Sequence, residues 1–413
     1  MAQALWLQAA QLCPQPATEA CGMFRPPPGL EDLGQRVPLA PELAALPLPH
    51  LLARHPPPKE AQKPELGDML KTPEGSQRLL RQMEVAGGGF LASLAADLVP
   101  QLPKLATHEH ASQVISALLA HSALPSPSRT RILQSLRGSL HSLTRDRYGC
   151  WIIQQALQHG GNEIVEDFAR ELAGKVLACS RHLYGNFVLQ RCVEVFDAQA
   201  VQFITRELDE DVAAAASNLY ACRVLQRVLE HCAHDQEHMV RILDTLLQTE
   251  VVQRLLISTH GQNVLRSLLA HGSVERVRAV ALFFLGCDAE ALVIYARNRH
   301  ASLVLESCLE ALSREDLGRS LLAEKAALLR RILGTDEDPC PLFAKVTLDR
   351  FGNYLCQRVL LLAEGAEAIR AARLIAEMQS KLRRTPNGRH ILSAARKKFG
   401  RGCAQRADAN SFS

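Results

Sequence analysis

Aromatic residues make up only 5% of the 413-residue chain. Leu and Ala dominate instead, a balance that suits helices packed on helices. Charge of one sign is lacking too: the formal net charge is +4, so a nucleic acid would have to be met by local basic patches and not by the field of the whole molecule. The 12 cysteines include no CxxC pair. Most occupy apolar or small positions, and they read as reduced thiols of an intracellular protein. No run is long and uncharged enough to span a bilayer, and residues 1–12 carry no basic residue ahead of their apolar stretch, which argues against a secretory signal. A Walker loop, an HExxH motif and a Ser-His-Asp grouping are all missing, so no enzymatic chemistry is expected. A soluble cytoplasmic or nuclear protein remains, with neither cofactor nor metal.

Prolines crowd residues 1–64, with Pro26-Pro27-Pro28 and Pro56-Pro57-Pro58 and no sustained helical period. Such a segment cannot bury enough apolar surface to offset its ordering entropy, so a flexible extension is expected there, with one short helix at its start. Residues 65–402 behave differently. A five-residue window keeps returning: Cys150-Trp-Ile-Ile-Gln154, Asn186-Phe-Val-Leu-Gln190, Cys222-Arg-Val-Leu-Gln226, Ser302-Leu-Val-Leu-Glu306 and Asn353-Tyr-Leu-Cys-Gln357. With the weaker copies that begin at Ser76, Ser112 and Gln262, the successive offsets are 36, 38, 36, 36, 40, 40 and 51 residues. A period of that size is one supersecondary unit, and a stack of such units is a solenoid.

The apolar residues keep the same register. Val188, Leu189, Cys192 and Val193 follow Asn186; Val224, Leu225, Val228 and Leu229 follow Cys222; Val264, Leu265, Leu268 and Leu269 follow Gln262. Pairs four apart form one buried helical stripe. In a helix the first and fifth places of a window share a face with the second beside them. Two polar groups can then meet the edge of a nucleobase while their neighbour stacks on its ring. Ahead of the last six windows stands an aromatic residue or His and then a small residue, from Tyr148-Gly149 to Phe351-Gly352; the lack of bulk lets neighbours approach closely. Apolar-periodic segments such as 163–177 and 199–208 are expected to supply a second, convex layer. Residues 313–334 read as a longer helical stretch before a loop at 335–341. Asn387-Gly-Arg-His-Ile-Leu-Ser is a shortened echo fit to cap the stack, and residues 403–413 read as a disordered tail.

The ordered windows, the small residue ahead of them and the wide last spacing resemble the Pumilio, or PUF, family of single-stranded RNA-binding proteins over roughly residues 65–402. The resemblance implies an all-α fold, a curved α-solenoid of eight three-helix repeats plus terminal caps, with one base read per repeat and the RNA antiparallel to the protein. It further implies base-edge roles for Cys150 with Gln154 and Cys222 with Gln226 toward adenine, Asn186 with Gln190 and Asn353 with Gln357 toward uracil, and Ser302 with Glu306 toward guanine. Trp151, Phe187, Arg223, Asn263, Leu303 and Tyr354 take the stacking place. The implied site is 5′-UGnAUA in messenger RNA 3′ untranslated regions, read by a monomer that regulates translation or stability through protein co-regulators.

Three windows depart from the family pattern. Gln262, Asn263 and Arg266 leave the third base unassigned. Ser112 and Gln113 are followed by a short Ser116, while Ser76 and Gln77 are followed by Leu80, so the two 3′ positions have weak readers or none. A helical-repeat scaffold for protein, or a divergent nucleolar relative that binds structured ribosomal RNA, is the competing reading. His231-Cys232-Ala-His234 with His238 looks briefly like a metal site but reads as a solvated connection. The acid-free basic segment 381–406 would suit either the 5′ flank of an RNA or a nuclear address.

Overall fold

Each window begins within the first four residues of a helix, and these helices pack one on the next. The computed structural model describes residues 66–400 except 233–236, 318 and 339. The expected N-terminal extension, its short helix and proline runs, and the expected tail at 403–413 lie outside the described residues. The window helices are α1 (Pro73–Glu84), α2 (Glu109–Ala120), α3 (Gly149–His159), α4 (Gly185–Val195), α5 (Ala221–His231), α6 (Gly261–His271), α7 (Ala301–Ala311) and α8 (Gly352–Leu362). The last helix among the described residues, α9 (Pro386–Phe399), packs on α8. Longer helices form a second layer, with Val274–Gly286 on Leu322–Leu333 and that helix on Gly365–Arg383. The described residues contain no strand; the chain is an all-α helical repeat protein.

The apolar stripe is where the period placed it. Val188, Leu189, Cys192 and Val193 are buried, as are the matching residues after Cys222 and Gln262. Burying one Val or Leu side chain contributes about 1.5–3 kcal/mol, and a stripe repeated along the row is the main cohesive term. Two expected segments are broken. Residues 163–177 fall into two helices, Gly161–Leu172 and Val176–Ser180, because Gly174 between them takes φ +73°. Within 313–334 the α-helix occupies only Leu322–Leu333 and ends at Gly334, φ +66°. Positive φ is open to glycine and strained for other residues.

A short helix precedes each later window helix, such as Val176–Ser180 before α4 and Leu342–Val346 before α8. The small residue ahead of the window sits against it. A β-carbon on Gly185 would lie 2.6 Å from the Cys179 carbonyl, and one on Gly149 would lie 2.9 Å from that of Leu143. Ala221 and Ala301 hold the same place with a methyl group, both fully buried.

A second recurring device went unnoticed in the sequence. The residue four before each of the last six windows accepts from two successive backbone N–H groups at the helix start. Asp146 Oδ1 accepts from Tyr148 and Gly149 at 2.8 and 2.7 Å, Asn218 Oδ1 from Tyr220 and Ala221 at 2.9 and 3.0 Å, and Asn298 Oδ1 from His300 and Ala301 at 2.9 and 3.1 Å. Asp349 repeats this at 2.8 and 2.9 Å, while His182 Nδ1 and Ser258 Oγ do so at 3.0–3.3 Å. These bonds satisfy donors that a helix start leaves open. Carboxylates also stitch one unit to the next: Glu207 accepts from the Gly174 and Val176 N–H groups at 2.7 and 2.8 Å.

Asn298→Ala is expected to cost about 1 kcal/mol of stability and Asn298→Asp much less, since a carboxylate oxygen accepts the same pair. Urea unfolding measures both; an alanine variant as stable as the parent contradicts the capping role.

Candidate nucleic-acid interface

The three window places lie at three depths. Second-place side chains stand open: Trp151, Phe187 and Tyr354 are 49%, 43% and 59% exposed, and Arg223 is exposed as well. Fifth-place Gln154, Gln190, Gln226, Glu306 and Gln357 are half-buried. First-place Ser76, Ser112, Cys150, Asn186, Cys222, Gln262, Ser302 and Asn353 are all buried. The first and fifth places therefore do not project equally, as the helical face alone suggests. Ser76, Ser112, Cys150, Asn186, Cys222 and Asn353 turn back and donate to the preceding backbone, and the first places together form a floor.

In the two Asn/Gln windows the bonding is the same. Asn186 Nδ2 donates to the carbonyls of His182 and Leu183 at 2.8 and 2.9 Å, and its Oδ1 accepts from Gln190 Nε2 at 2.9 Å. Asn353 Nδ2 donates to Asp349 and Arg350 at 2.9 and 3.0 Å, and its Oδ1 accepts from Gln357 Nε2 at 3.0 Å. Windows that begin with Cys solve the problem differently. Gln154 Nε2 donates to the Cys150 carbonyl at 3.1 Å and Gln226 Nε2 to that of Cys222 at 2.9 Å. In all four, one N–H of the closing amide is committed, which leaves its carbonyl oxygen and second N–H for a ligand. Burial pushes the Cys150 and Cys222 thiols up, to about 12 and about 11. They stay neutral at physiological pH, as small space-fillers and not nucleophiles.

The Ser302/Glu306 window carries an unmet demand. Glu306 Oε1 is buried without a hydrogen-bond partner. Burial lifts this carboxyl to about 7; Arg358 opposes the shift, Glu310 adds to it and Arg266 opposes it. Arg358, on α8, pairs with Glu310 on α7 at 2.5 Å, and its Nε is also buried without a partner. Sequence reading missed Arg358 and Glu310, although an Arg five after the first place and a Glu eight after it recur: Arg227 on α5 approaches Glu194 on α4 at 3.7 Å.

The departing windows differ in bonding as well as sequence. Gln262 Nε2 donates sideways to Asn263 Oδ1 at 2.9 Å and its Oε1 is buried unpartnered, while exposed Arg266 donates through Nε to Ser307 at 3.2 Å. Half-buried Leu303 and Asn263 offer no open ring. In α2, Ser112 Oγ donates to the Glu109 carbonyl at 3.0 Å and Ser116 Oγ is buried without a partner. In α1, Ser76 Oγ donates to the Leu70 carbonyl at 3.1 Å and half-buried Leu80 closes the window; Gln77 and Gln113 are exposed.

His234 lies outside the described residues. His238 contacts Asp209 at 3.3 Å, Cys232 is buried, and the described residues contain no group of metal-ligating side chains. No single described helix is long and apolar enough to cross a membrane.

Two family models match the chain. The one described as a NOP9-like PUF repeat domain covers residues 52–176, and the Pumilio-family RNA binding repeat covers 175–208, 212–243, 293–324 and 343–368. The divergent Gln262 window falls in the gap between the second and third of these stretches. No curated protein matches. Similar solved structures include PUF-8 in complex with PBE-RNA, at TM-score 0.69 and 19% identity over 82% of this chain and 96% of that one. The Puf3 RNA binding domain bound to a Cox17 RNA 3′ UTR recognition sequence gives 0.69 and 19% over 80% and 94%. The RNA-binding domain of yeast Puf5p bound to AAT2 RNA gives 0.60 and 16% over 81% and 96%. At these identities the likeness is one of fold.

Glu306 generates a prediction with a definite sign. Its folded value near 7 lies above the ordinary 4.5, so over that interval the folded chain holds a proton that the unfolded chain has released. Its contribution is fully present below the unfolded value and is lost as pH rises through about 7. Relative to Glu306→Gln, the parent is expected to lose stability in urea between pH 5 and 8. A parent–variant difference that does not change with pH contradicts this assignment.

Proposed function

The chain belongs to the PUF repeat family, which is RNA-binding and non-enzymatic, and from that premise we propose that it reads single-stranded messenger RNA one base per repeat. The observation that carries the reading is the recurrent closing amide. Gln154, Gln190, Gln226 and Gln357 each have one N–H tied to the first place and a carbonyl and N–H to spare. A spare acceptor and donor side by side match the edge of uracil, with its ring N–H and carbonyls, and that of adenine, with its amino group and ring nitrogen.

Size then separates purine from pyrimidine: Cys150 and Cys222 leave room for adenine, and the larger Asn186 and Asn353 favour uracil. When ionised, Glu306 is an acceptor with no donor, and guanine's two edge donors would satisfy the oxygen that is orphaned in the free chain. An unsatisfied buried acceptor costs about 1–3 kcal/mol, so guanine removes a penalty that uracil would leave partly in place. Trp151, Phe187, Arg223 and Tyr354 supply stacking worth about 1–3 kcal/mol per base. With eight repeats curved around an antiparallel strand, the site is 5′-UGnAUA, bound by a monomer acting in the cytoplasm on translation or decay through recruited proteins.

The NOP9-like match over residues 52–176 favours a second reading for the first part of the chain. Leu80 and Ser116 are poor readers, so α1 and α2 would hold RNA with little base choice, in the manner of a nucleolar relative.

Titration of short RNAs at fixed salt is expected to favour UGnAUA over scrambled sequence by at least about tenfold, or 1.4 kcal/mol. Phosphate attraction alone gives no such difference. Ser302→Asn with Glu306→Gln is expected to move the second base from guanine toward uracil; an unchanged preference in competition shows that this repeat does not read that base.

A further inference from the structure

Buried carboxylates in the second layer have both oxygens met. Glu207 accepts with Oε1 from the Gly174 N–H and with Oε2 from that of Val176, at 2.7 and 2.8 Å. The two oxygens of Asp167 accept from Arg170 and Arg137 at 2.7 and 2.6 Å. Glu306 departs from this pattern: its Oε1 is buried with no donor, although α6 and α8, the helices on either side, each carry a guanidinium group near it.

Those groups are turned to other partners. Arg358 of α8 pairs with Glu310 at 2.5 Å, and Arg266 of α6 donates to Ser307 at 3.2 Å. The Cys356 thiol of α8 points at the Phe343 carbonyl, 3.6 Å away, and His300, just ahead of α7, lies 3.5 Å from Thr259. Three further helices pack on α7: Thr249–Ile257, Val274–Gly286 and Ala289–Arg297. Their charges are occupied elsewhere or open to solvent. Arg276 meets Asp244, Arg278 meets Glu324, Arg297 meets the Lys345 carbonyl and Glu275 meets Ser273, all at 2.6–2.8 Å, while Glu250, Arg254 and Glu290 are exposed.

The Glu306 carboxyl therefore has two ways to be satisfied. A proton neutralises it, as burial favours; alternatively, guanine supplies N–H groups to the ionised form. The two exclude each other, because a protonated carboxyl carries a donor that would face one of guanine's own. The protonated form presents one donor and one acceptor, which is the pattern of the closing amides. With small Ser302 in the first place, the window then matches the Cys150/Gln154 and Cys222/Gln226 windows, to which adenine was assigned above.

We propose that reading of the second base is coupled to a proton: guanine binds by displacing it from Glu306, and with the proton in place the same window accepts adenine. The proposal rests on the base-by-base reading above and adds control by pH at one repeat. By reciprocity, the proton weakens guanine binding by the factor by which guanine weakens proton binding.

The test compares UGUAUA with UAUAUA on the full chain at fixed salt, at pH 8 and pH 6, with circular dichroism at both to show the chain folded. The free carboxyl titrates near 7, so its ionised share, and with it the preference for guanine over adenine, is expected to fall about tenfold between the two. A ratio of two RNAs of equal charge cancels any general gain in phosphate attraction as histidines charge in acid. Calorimetry of UGUAUA at pH 6 in buffers of different ionisation enthalpy is expected to show about one proton released. With Glu306→Gln both the pH dependence and the proton release are expected to vanish. Guanine preference at pH 8 that persists unchanged at pH 6, or a pH dependence that survives Glu306→Gln, overturns the coupling and leaves the guanine assignment standing. No preference for guanine at either pH overturns the assignment beneath it.

Discussion

Close contact between the first turn of each window helix and the short helix before it governs the rest of the structure. The small residue at Gly149, Gly185, Ala221, Gly261, Ala301 and Gly352 brings the two backbones together. The side chain three residues earlier satisfies the N–H groups exposed at that junction. Fixed at one end by this seat and along one side by the buried stripe, each helix has little freedom to rotate about its axis. The first, second and fifth places therefore point the same way in unit after unit. Uniform orientation is what a linear ligand with a repeating backbone needs from a protein.

Within that frame, hydrogen-bond accounting separates residues that hold from residues that have capacity left. First-place Asn186 and Asn353 spend both amide hydrogens on the preceding turn and their oxygen on the closing Gln. In the proposed reading they position the closing amide more than they read. The closing amides keep a carbonyl oxygen and one N–H, and Glu306 keeps an oxygen with nothing to accept from. A group left unsatisfied inside a protein is costly; a ligand that completes it gains in proportion. In the proposed reading, selectivity comes from matching these leftovers and from the space above the floor, while stacking by Trp151, Phe187 and Tyr354 supplies affinity that is largely indifferent to sequence.

Much of this was legible from the amino acids. The stripe from Val188 to Val193 and its copies fixed the helical register, because apolar spacing reports burial directly. The depth of the first place was not legible, since a Ser or Asn in a periodic pattern looks the same whether it faces solvent or its own backbone. The capping set Asp146, His182, Asn218, Ser258, Asn298 and Asp349 escaped notice because six positions use four residue types that share only an acceptor atom. The break at Gly174 hid inside an apolar run whose period is that of one long helix. The influence of Arg358 on Glu306 could not be seen either, for the two are 52 positions apart and come near each other only when α7 packs on α8.

Selection from a pool of fully randomised RNA by the intact chain tests the central claim most directly, because it supplies every sequence and every secondary structure at once. Base-by-base reading predicts enrichment of unpaired U-G-n-A-U-A, with the third position free or weakly biased where Gln262, Asn263 and Arg266 stand. Enrichment of a stem or loop shape without that series, or of no motif at all, contradicts it.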